Sequence, residues 1–218
     1  MTVWPVLSSL PASELDSLLR AGRRRRFAKG ETIFHHGDPA DCLHLIDRGR
    51  VAVRVLTPNG DQAILNILGP GTAFGELSLI DDVARRTATV TAIEPCETIA
   101  LHRAQFDRLR AEHPGIDRFL LASLSAQVNR LSEHLLEVLF VPIRLRVIRR
   151  LIALAEEFGR VIPLTQEDLA LMSGTTRPTV NETLRELERR GAIRLGRGHI
   201  EVIERAQLVG RLARASGR

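Results

Sequence analysis

The chain has 218 residues, 44% hydrophobic and 26% charged, which is ordinary globular composition with room for two small domains or one large one. No apolar run approaches the roughly 18 residues that a membrane helix needs, and the segment around Trp4 and Pro5 lacks the order of a secretory leader, so the expected location is cytoplasmic, with no membrane partner. The net charge of +5 is uneven: residues 1–142 carry 16 basic and 17 acidic side chains and residues 143–218 carry 15 and 9, so the C-terminal third is the expected nucleic-acid end.

Residues 8–20 start with capping residues and continue with Leu15, Leu18 and Leu19 at helical spacing, which predicts a short helix. The basic run Arg23 to Arg26 suits a solvated loop or strand edge better than a phosphate-binding patch. From Phe27 to Leu101, short β-type runs alternate with glycine turns. They cover 32–34, 43–46, 51–56, 63–68, 88–93 and 97–101, with a hairpin turn at Asn59-Gly60. This spacing indicates a β-sandwich or barrel. Cys42 and Cys96 are too few for an iron–sulfur cluster held by four thiolates of one chain, and both read as reduced core residues. His35, His36, His44, His102, His113 and His134 show no metal-ligand spacing, so no metal site and no resident cofactor is expected.

Phe74 to Ala88 interrupts the β pattern. Gly75 allows close backbone approach, and Glu76 can accept hydrogen bonds from a sugar hydroxyl. The amides of Leu77, Ser78 and Leu79 open a short helix and can point at a phosphate. Arg86, ten residues after Glu76, can take two phosphate oxygens through its planar fork, and Thr87 adds a hydroxyl. A glycine turn with a surface Glu–Arg pair explains each piece alone. The whole set in one register describes a pocket for a small, anionic, hydroxylated ligand.

A short helix follows over 103–112, stopped at His113-Pro114-Gly115, and a long one runs from Ile116 to Phe140. Leu121, Leu124, Val128, Leu131, Leu135 and Val138 step by 3, 4, 3, 4, 3, an a/d seam, with Leu120, Leu136 and Leu139 widening one side. The stripe could pack entirely on its own β-roll. The favoured reading divides it: the seam pairs with a second subunit, giving a homodimer, and the wider side covers the roll. Pro142 disfavours helical geometry at Val141, which places a hinge at Phe140–Pro142. A new amphipathic helix then spans Ile143 to Glu157, with Val147, Ile148, Leu151, Ile152 and Leu154 on its apolar side.

Thr165, with Asp168 three residues on, caps a helix that ends at Gly174. Thr176 caps a second, Arg177 to Arg190, with Pro178 in its first turn. Runs 192–195 and 199–203, joined by Gly196-Arg197-Gly198, make a β-hairpin wing. Together these form a winged helix-turn-helix rather than a plain three-helix packing domain. The second helix of such a motif enters the major groove. Arg177, Asn181 and Arg185 recur every four residues on one face, beside Pro178 and Glu182. Arg177 suits guanine, Asn181 adenine and Glu182 a cytosine amino group, although Glu182 could instead pair with Arg185 or Arg189. Thr176 and Thr179 suit phosphate.

The cassette Phe74-Gly75-Glu76-Leu77…Arg86-Thr87-Ala88 and the run Leu164-Thr165-Gln166-Glu167-Asp168-Leu169-Ala170…Thr176-Arg177-Pro178-Thr179-Val180-Asn181 resemble those of the CRP/FNR family of bacterial transcription regulators, over roughly residues 8 to 205. The resemblance implies an α+β fold: an N-terminal β-roll (a cyclic-nucleotide-binding jelly roll), a long dimerisation helix and a C-terminal winged helix-turn-helix. The corresponding domains are residues 1–115, 116–142 and 143–218. It implies a dimeric regulator and not an enzyme, with cyclic AMP or another cyclic nucleotide as effector, a palindromic double-stranded DNA operator, and RNA polymerase as a partner. By the same analogy Glu76 holds the ribose 2′-hydroxyl, while Arg86, Thr87 and the Ser78 amide hold the cyclic phosphate. Ungapped alignment puts Leu131-Ser132 where the cyclic-AMP-binding branch has a Thr-Ser pair reading adenine, so only the serine is retained. Where that branch reads DNA with Arg, Glu and Arg, this chain has Arg177, Pro178 and Glu182, which implies a different half-site. The alternatives are a regulator of the same fold that ignores ligand or answers a different small effector. An enzyme acting on a nucleotide would need a nucleophile–base pair, P-loop or metal spacing that the sequence does not show.

Overall fold

The structure is a computed structural model that describes residues 4, 7, 11–56, 60, 62–76, 85–113 and 115–216. The chain divides into two compact units, Met1–Arg130 and Leu131–Arg218.

The first unit starts with helix α1 (Ala12–Ala21), in which Leu18 is fully buried. Its N-cap is Pro11, which makes no side-chain cap bond, and the expected start at Ser8 to Leu10 lies outside the described residues. Eight strands are described: β1 (Arg23–Phe27), β2 (Thr32–Phe34), β3 (Cys42–Arg48), β4 (Val51–Leu56), β5 (Gln62–Leu68), β6 (Ala73–Phe74), β7 (Thr89–Ala92) and β8 (Cys96–His102). They build two antiparallel four-stranded sheets, ordered β1-β8-β3-β6 and β2-β7-β4-β5. Arg23 to Arg26 lie on the exposed edge strand β1, as the sequence favours. The hairpin residue Asn59 lies outside the described residues.

Strand β3 explains why this sheet is organised as it is. Residues Cys42 to Ile46 are all buried, so both faces of the strand are covered. Leu43 and Leu45 join Leu18, Ile99, Leu101 and Phe106 in one cluster, together with Ile116 and Leu120. Ile46 belongs to the other cluster, with Phe27, Val51, Phe74, Val90 and Cys96. The period-2 alternation of a strand thus places consecutive residues in two different cores. Neither cysteine is in a disulfide, and both are buried. Helix α2 (Arg103–Glu112) closes one end of the first cluster through Phe106 and Leu109.

Among the described residues, helix α3 (Gly115–Phe140) is buried only near its beginning, at Ile116, Leu120 and Ser123, while near its end half-buried His134 and Glu137 bond Arg150 of the next helix. The expectation that its wider side covers the roll holds for Leu120 and fails for Leu136 and Leu139, which are 56% and 62% exposed. The cluster beneath the helix contains no α3 residue beyond Leu120. Seam positions Leu121, Val128, Leu131, Leu135 and Val138 are exposed as well.

The second unit continues from α3 into α4 (Ile143–Phe158), with Pro142 as its N-cap. Then come β9 (Val161–Ile162), α5 (Gln166–Ser173), α6 (Arg177–Arg189), β10 (Ile193–Gly196), β11 (His199–Val202) and α7 (Arg205–Ser216). The wing is a three-stranded sheet, β10-β11-β9. Val147, Ile148, Leu151 and Leu154 of α4 are buried, as are Leu169, Val180, Leu184, Leu187 and Leu208. Two-residue strands such as β6 and β9 are too short to show periodicity, so neither was legible.

Phe106 has no exposed surface. Phe106→Ala should destabilise the first unit by about 3–5 kcal/mol, read as a lower denaturant midpoint in chemical unfolding. An unchanged midpoint would contradict this packing.

Candidate ligand pocket and nucleic-acid interface

The pocket is built where β6 ends. Gly75 has φ +82°, and a Cβ there would lie 2.6 Å from Arg86 Nη1 and 3.2 Å from the Cys42 carbonyl oxygen. Glycine is therefore required by the close approach of Arg86, a protein group, as well as by its backbone conformation.

Arg86 is 5% exposed. Its backbone is fixed by Arg86 N–H donating to Asp38 O (2.9 Å) and Gly37 N–H donating to Arg86 O (2.8 Å). Its side chain donates from Nη1 to Cys42 O (2.8 Å) and from Nη2 to Cys42 Sγ (3.3 Å). The guanidinium carbon sits 4.0 Å from the centre of the Phe34 ring, a cation–π contact. Asp41, whose side chain is 68% exposed, supplies a carboxylate oxygen 3.8 Å from Nη2. Nε is buried and has no hydrogen-bond partner among the described residues. Among the described residues, the guanidinium is bonded by neutral acceptors and has one distant, solvated acid as its ion-pair partner, with the buried Glu76 carboxyl close enough to feel its charge. A buried cation so weakly compensated favours an anion.

Glu76 is 8% exposed. Burial pushes its carboxyl pKa up, against the opposing pull of a backbone hydrogen bond and the positive charges of Arg130 and Arg86. His44 lies buried nearby, its ring stacked on Phe74 with centroids 5.0 Å apart. Desolvation first, then the Arg86 charge, push its pKa down to about 3, so the ring is neutral.

The structure thus brings Gly75, Glu76 and Arg86 together, with exposed Thr87 next to Arg86. Leu77 and Ser78, with the short helix expected there, lie outside the described residues. Leu131 and Ser132 are exposed on α3. Phe34, Asp41 and Cys42 were missed, because Cys42 stands 44 residues before Arg86 and no local spacing links them. The fold also groups Asp41, Cys42 and His102, which a search for ligand spacing along the chain does not reveal.

In the second unit Thr165 caps α5 as expected. Asp168 N–H donates to Thr165 Oγ1 and Thr165 N–H to Asp168 Oδ2, both at 3.1 Å. Gly174 ends the helix in the left-handed conformation. On α6, Val180, Thr183, Leu184 and Leu187 are buried. The opposite face presents Thr176, Arg177, Pro178, Glu182 and Arg185 exposed, with Thr179 and Asn181 half-buried. Thr176 occupies the N-cap position, but its side chain makes no cap bond. Its hydroxyl is instead 3.1 Å from that of Thr179. Thr165 and Arg177 line one cleft with Gly196 and His199 of the wing.

Glu182 does pair with an arginine, though with neither Arg185 nor Arg189: its partner is Arg144 of α4, at 2.5 Å. Glu186 gathers Arg144, Arg190 and Arg211, and the hydrogen bond from Arg211 chiefly holds its carboxyl below the usual range. Among the described residues, Arg177 and Arg185 make no ion pair. Both are exposed cations available on that face, as is Arg189, whose Nε donates to the Arg185 carbonyl oxygen.

Residues 24–113 match the cyclic nucleotide-binding domain and residues 145–211 the Crp-like helix-turn-helix domain. The chain is 34% identical over 217 residues to a CRP-like cAMP-activated global transcriptional regulator of Mycobacterium tuberculosis, covering 96% of each. It is 33% identical to a cyclic AMP receptor protein of Thermus thermophilus, covering 94% of each. Among solved structures, the c-di-GMP responsive global regulator CLP of Xanthomonas campestris superposes with a TM-score of 0.76 at 20% identity, covering 88% of this chain and 99% of that one, a likeness of fold.

Because folding raises the Glu76 pKa, the native state binds a proton more readily than the unfolded state. Stability is then lost as pH rises from near 4.5, the ordinary value, through the folded value. Glu76→Gln should therefore raise the ligand-free melting temperature at neutral pH, with the gain fading below pH 4.5. A pH-independent difference between variant and parent would show that the carboxylate is not the cause.

Proposed function

Since the chain belongs to the CRP/FNR family of cyclic-nucleotide-binding transcription regulators, we propose that it is a homodimer that binds cyclic AMP in the β-roll and a palindromic operator through α6. The observation that carries the ligand half is the buried Arg86 guanidinium with its unpartnered Nε beside Gly75 and Glu76. Two relatives at 34% and 33% identity, both named for cyclic AMP, favour that nucleotide.

In this reading Arg86, Thr87 and the Ser78 amide hold the cyclic phosphate, with Gly75 and Leu77 shaping the turn. Glu76 accepts from the ribose 2′-hydroxyl. Leu131-Ser132 meets the base. Residues 1–115 bind ligand, 116–142 dimerise and hinge, and 143–218 bind DNA. The dimer is supported by the exposed apolar seam Leu121, Val128, Leu131, Leu135 and Val138, which is more contiguous apolar surface than a lone helix normally leaves in water.

On the operator, Arg177 donates to guanine, Asn181 bonds adenine and Glu182 accepts from a cytosine amino group, with Arg185 on the same face. Pro178 packs beside them, and Thr165, Thr176 and Thr179 contact phosphate. The bound dimer recruits or blocks RNA polymerase in the cytoplasm.

One observation favours a second reading, a regulator indifferent to nucleotide. The Arg86 guanidinium is already held by the Cys42 carbonyl, the Cys42 sulfur and the Phe34 ring. That reading requires operator binding unaltered by any cyclic nucleotide.

Calorimetry separates the two. The parent should bind cyclic AMP, and Arg86→Ala should weaken binding roughly 10- to 100-fold, the loss of a charge-assisted hydrogen bond. Absence of binding, or an unaffected Arg86→Ala variant, refutes cyclic-AMP control. For DNA, Arg177→Ala should cost about 1–3 kcal/mol and relax preference at a single operator position. A uniform loss across all sequences would demote Arg177 to a phosphate contact.

A further inference from the structure

Strands β3 and β8 pair antiparallel with Cys42 directly opposite His102. Residues opposite one another in such a pair project to the same side of the sheet. Asp41 precedes Cys42, and its backbone oxygen is held by Arg103 N–H at 2.9 Å. His102 N–H donates to Gln105 Oε1 at 3.2 Å, which fixes the other end. The three side chains converge. Asp41 Oδ2 lies 3.4 Å from His102 Nδ1, and one ligand atom from each of Asp41, Cys42 and His102 lies within 4.8 Å of the others.

We propose that Asp41, Cys42 and His102 form a binding site for a zinc-class divalent cation, set against the Arg86 guanidinium. Thiolate, imidazole and carboxylate together suit Zn(II), and three protein ligands leave a fourth position for water. Zinc–ligand bonds of about 2.0–2.3 Å place neighbouring ligand atoms about 3.3–3.6 Å apart. The Asp41–His102 pair already meets that spacing. Asp41 and His102 are partly exposed, at 68% and 45% of their side chains, so they have freedom to close on the sulfur, and the ion has a route in from solvent.

The surroundings fit as well. His44 Nε2 lies 3.5 Å from Cys42 Sγ, and its Nδ1 lies 3.0 Å from Thr98 Oγ1, which orients the ring toward the sulfur. Such outer hydrogen bonds are how proteins orient a metal's own ligands. On binding, the Cys42 S–H bond breaks, its proton passes to water and the sulfur electron pair bonds the cation.

Arg86 is the competitor. Its Nη2 lies 3.3 Å from Cys42 Sγ and 3.8 Å from Asp41 Oδ1, the same two groups the cation would use. The guanidinium must yield both for the metal to bind. The metal site and the anion pocket therefore share Cys42 and Asp41.

The test is a Co(II) titration of the reduced full-length protein, read by thiolate-to-cobalt absorption in the near ultraviolet. One equivalent per chain should bind, and Zn(II) should displace it. Cys42→Ser should abolish the band and Cys96→Ser should leave it. Asp41→Asn, a change at an exposed position, should weaken binding, and Arg86→Ala should tighten it several-fold by removing the competing cation. No band in either the parent or Arg86→Ala, or a band that survives Cys42→Ser, overturns the proposal. Because the probe is the metal alone, this outcome is separate from whether the chain binds a nucleotide.

Discussion

A guanidinium buried at 5% exposure constrains the first unit more than any other single feature. Removing such a charge from water is costly unless the surroundings replace its solvation. Here the replacement comes from both sheets. Phe34 stands on β2 in one sheet, and the Cys42 carbonyl and sulfur stand on β3 in the other. The loop at Gly37 and Asp38 fixes the Arg86 backbone, and Gly75 leaves the space that the guanidinium fills. Arg86 therefore ties the two halves of the roll together at the pocket. Its compensation is incomplete, and the buried carboxylate of Glu76 is likewise held against desolvation. A ligand presenting both an anionic oxygen and hydroxyl donors would relieve both strains at once. That is the physical reason for reading a cyclic phosphate and ribose into this pocket.

The second unit distributes charge by a different rule. Glu186 binds three arginines, on α4, on α7 and at the C-cap of its own helix, and Glu182 binds Arg144. These pairs fasten α6 to the helices beneath it, while Arg177 and Arg185 remain without a carboxylate among the described residues. Cations used for support are separated from cations left for a polyanion. Residues 143–218 carry net +6, a charge that draws a polyanion at long range, and Arg177 and Arg185 are exposed and available for close contacts.

Much of this was legible in the sequence because the physics was local. Thr165 and Asp168 are three residues apart and close a capping box. The α6 burial pattern at Val180, Thr183, Leu184 and Leu187 follows helical periodicity. Most strands of the roll were bounded to within a residue or two by their glycine turns. What failed was non-local. The Glu182 partner came from Arg144, 38 residues away, and the Arg86 contacts came from Cys42 and Phe34. Which of the leucines on α3 face the roll depended on how far along the helix the roll's core reaches, to Leu120, and no helical period encodes that. The grouping of Asp41, Cys42 and His102 needed the β3–β8 register, which brings together residues 60 apart.

The central claim is that occupancy of the Arg86 pocket governs DNA binding. The most direct measurement is fluorescence anisotropy of the full-length protein on an operator selected from random sequence, with and without saturating cyclic AMP at fixed salt. The account predicts that the nucleotide tightens operator binding severalfold or more while leaving binding to unrelated DNA little changed. Equal operator affinity with and without the nucleotide would contradict it.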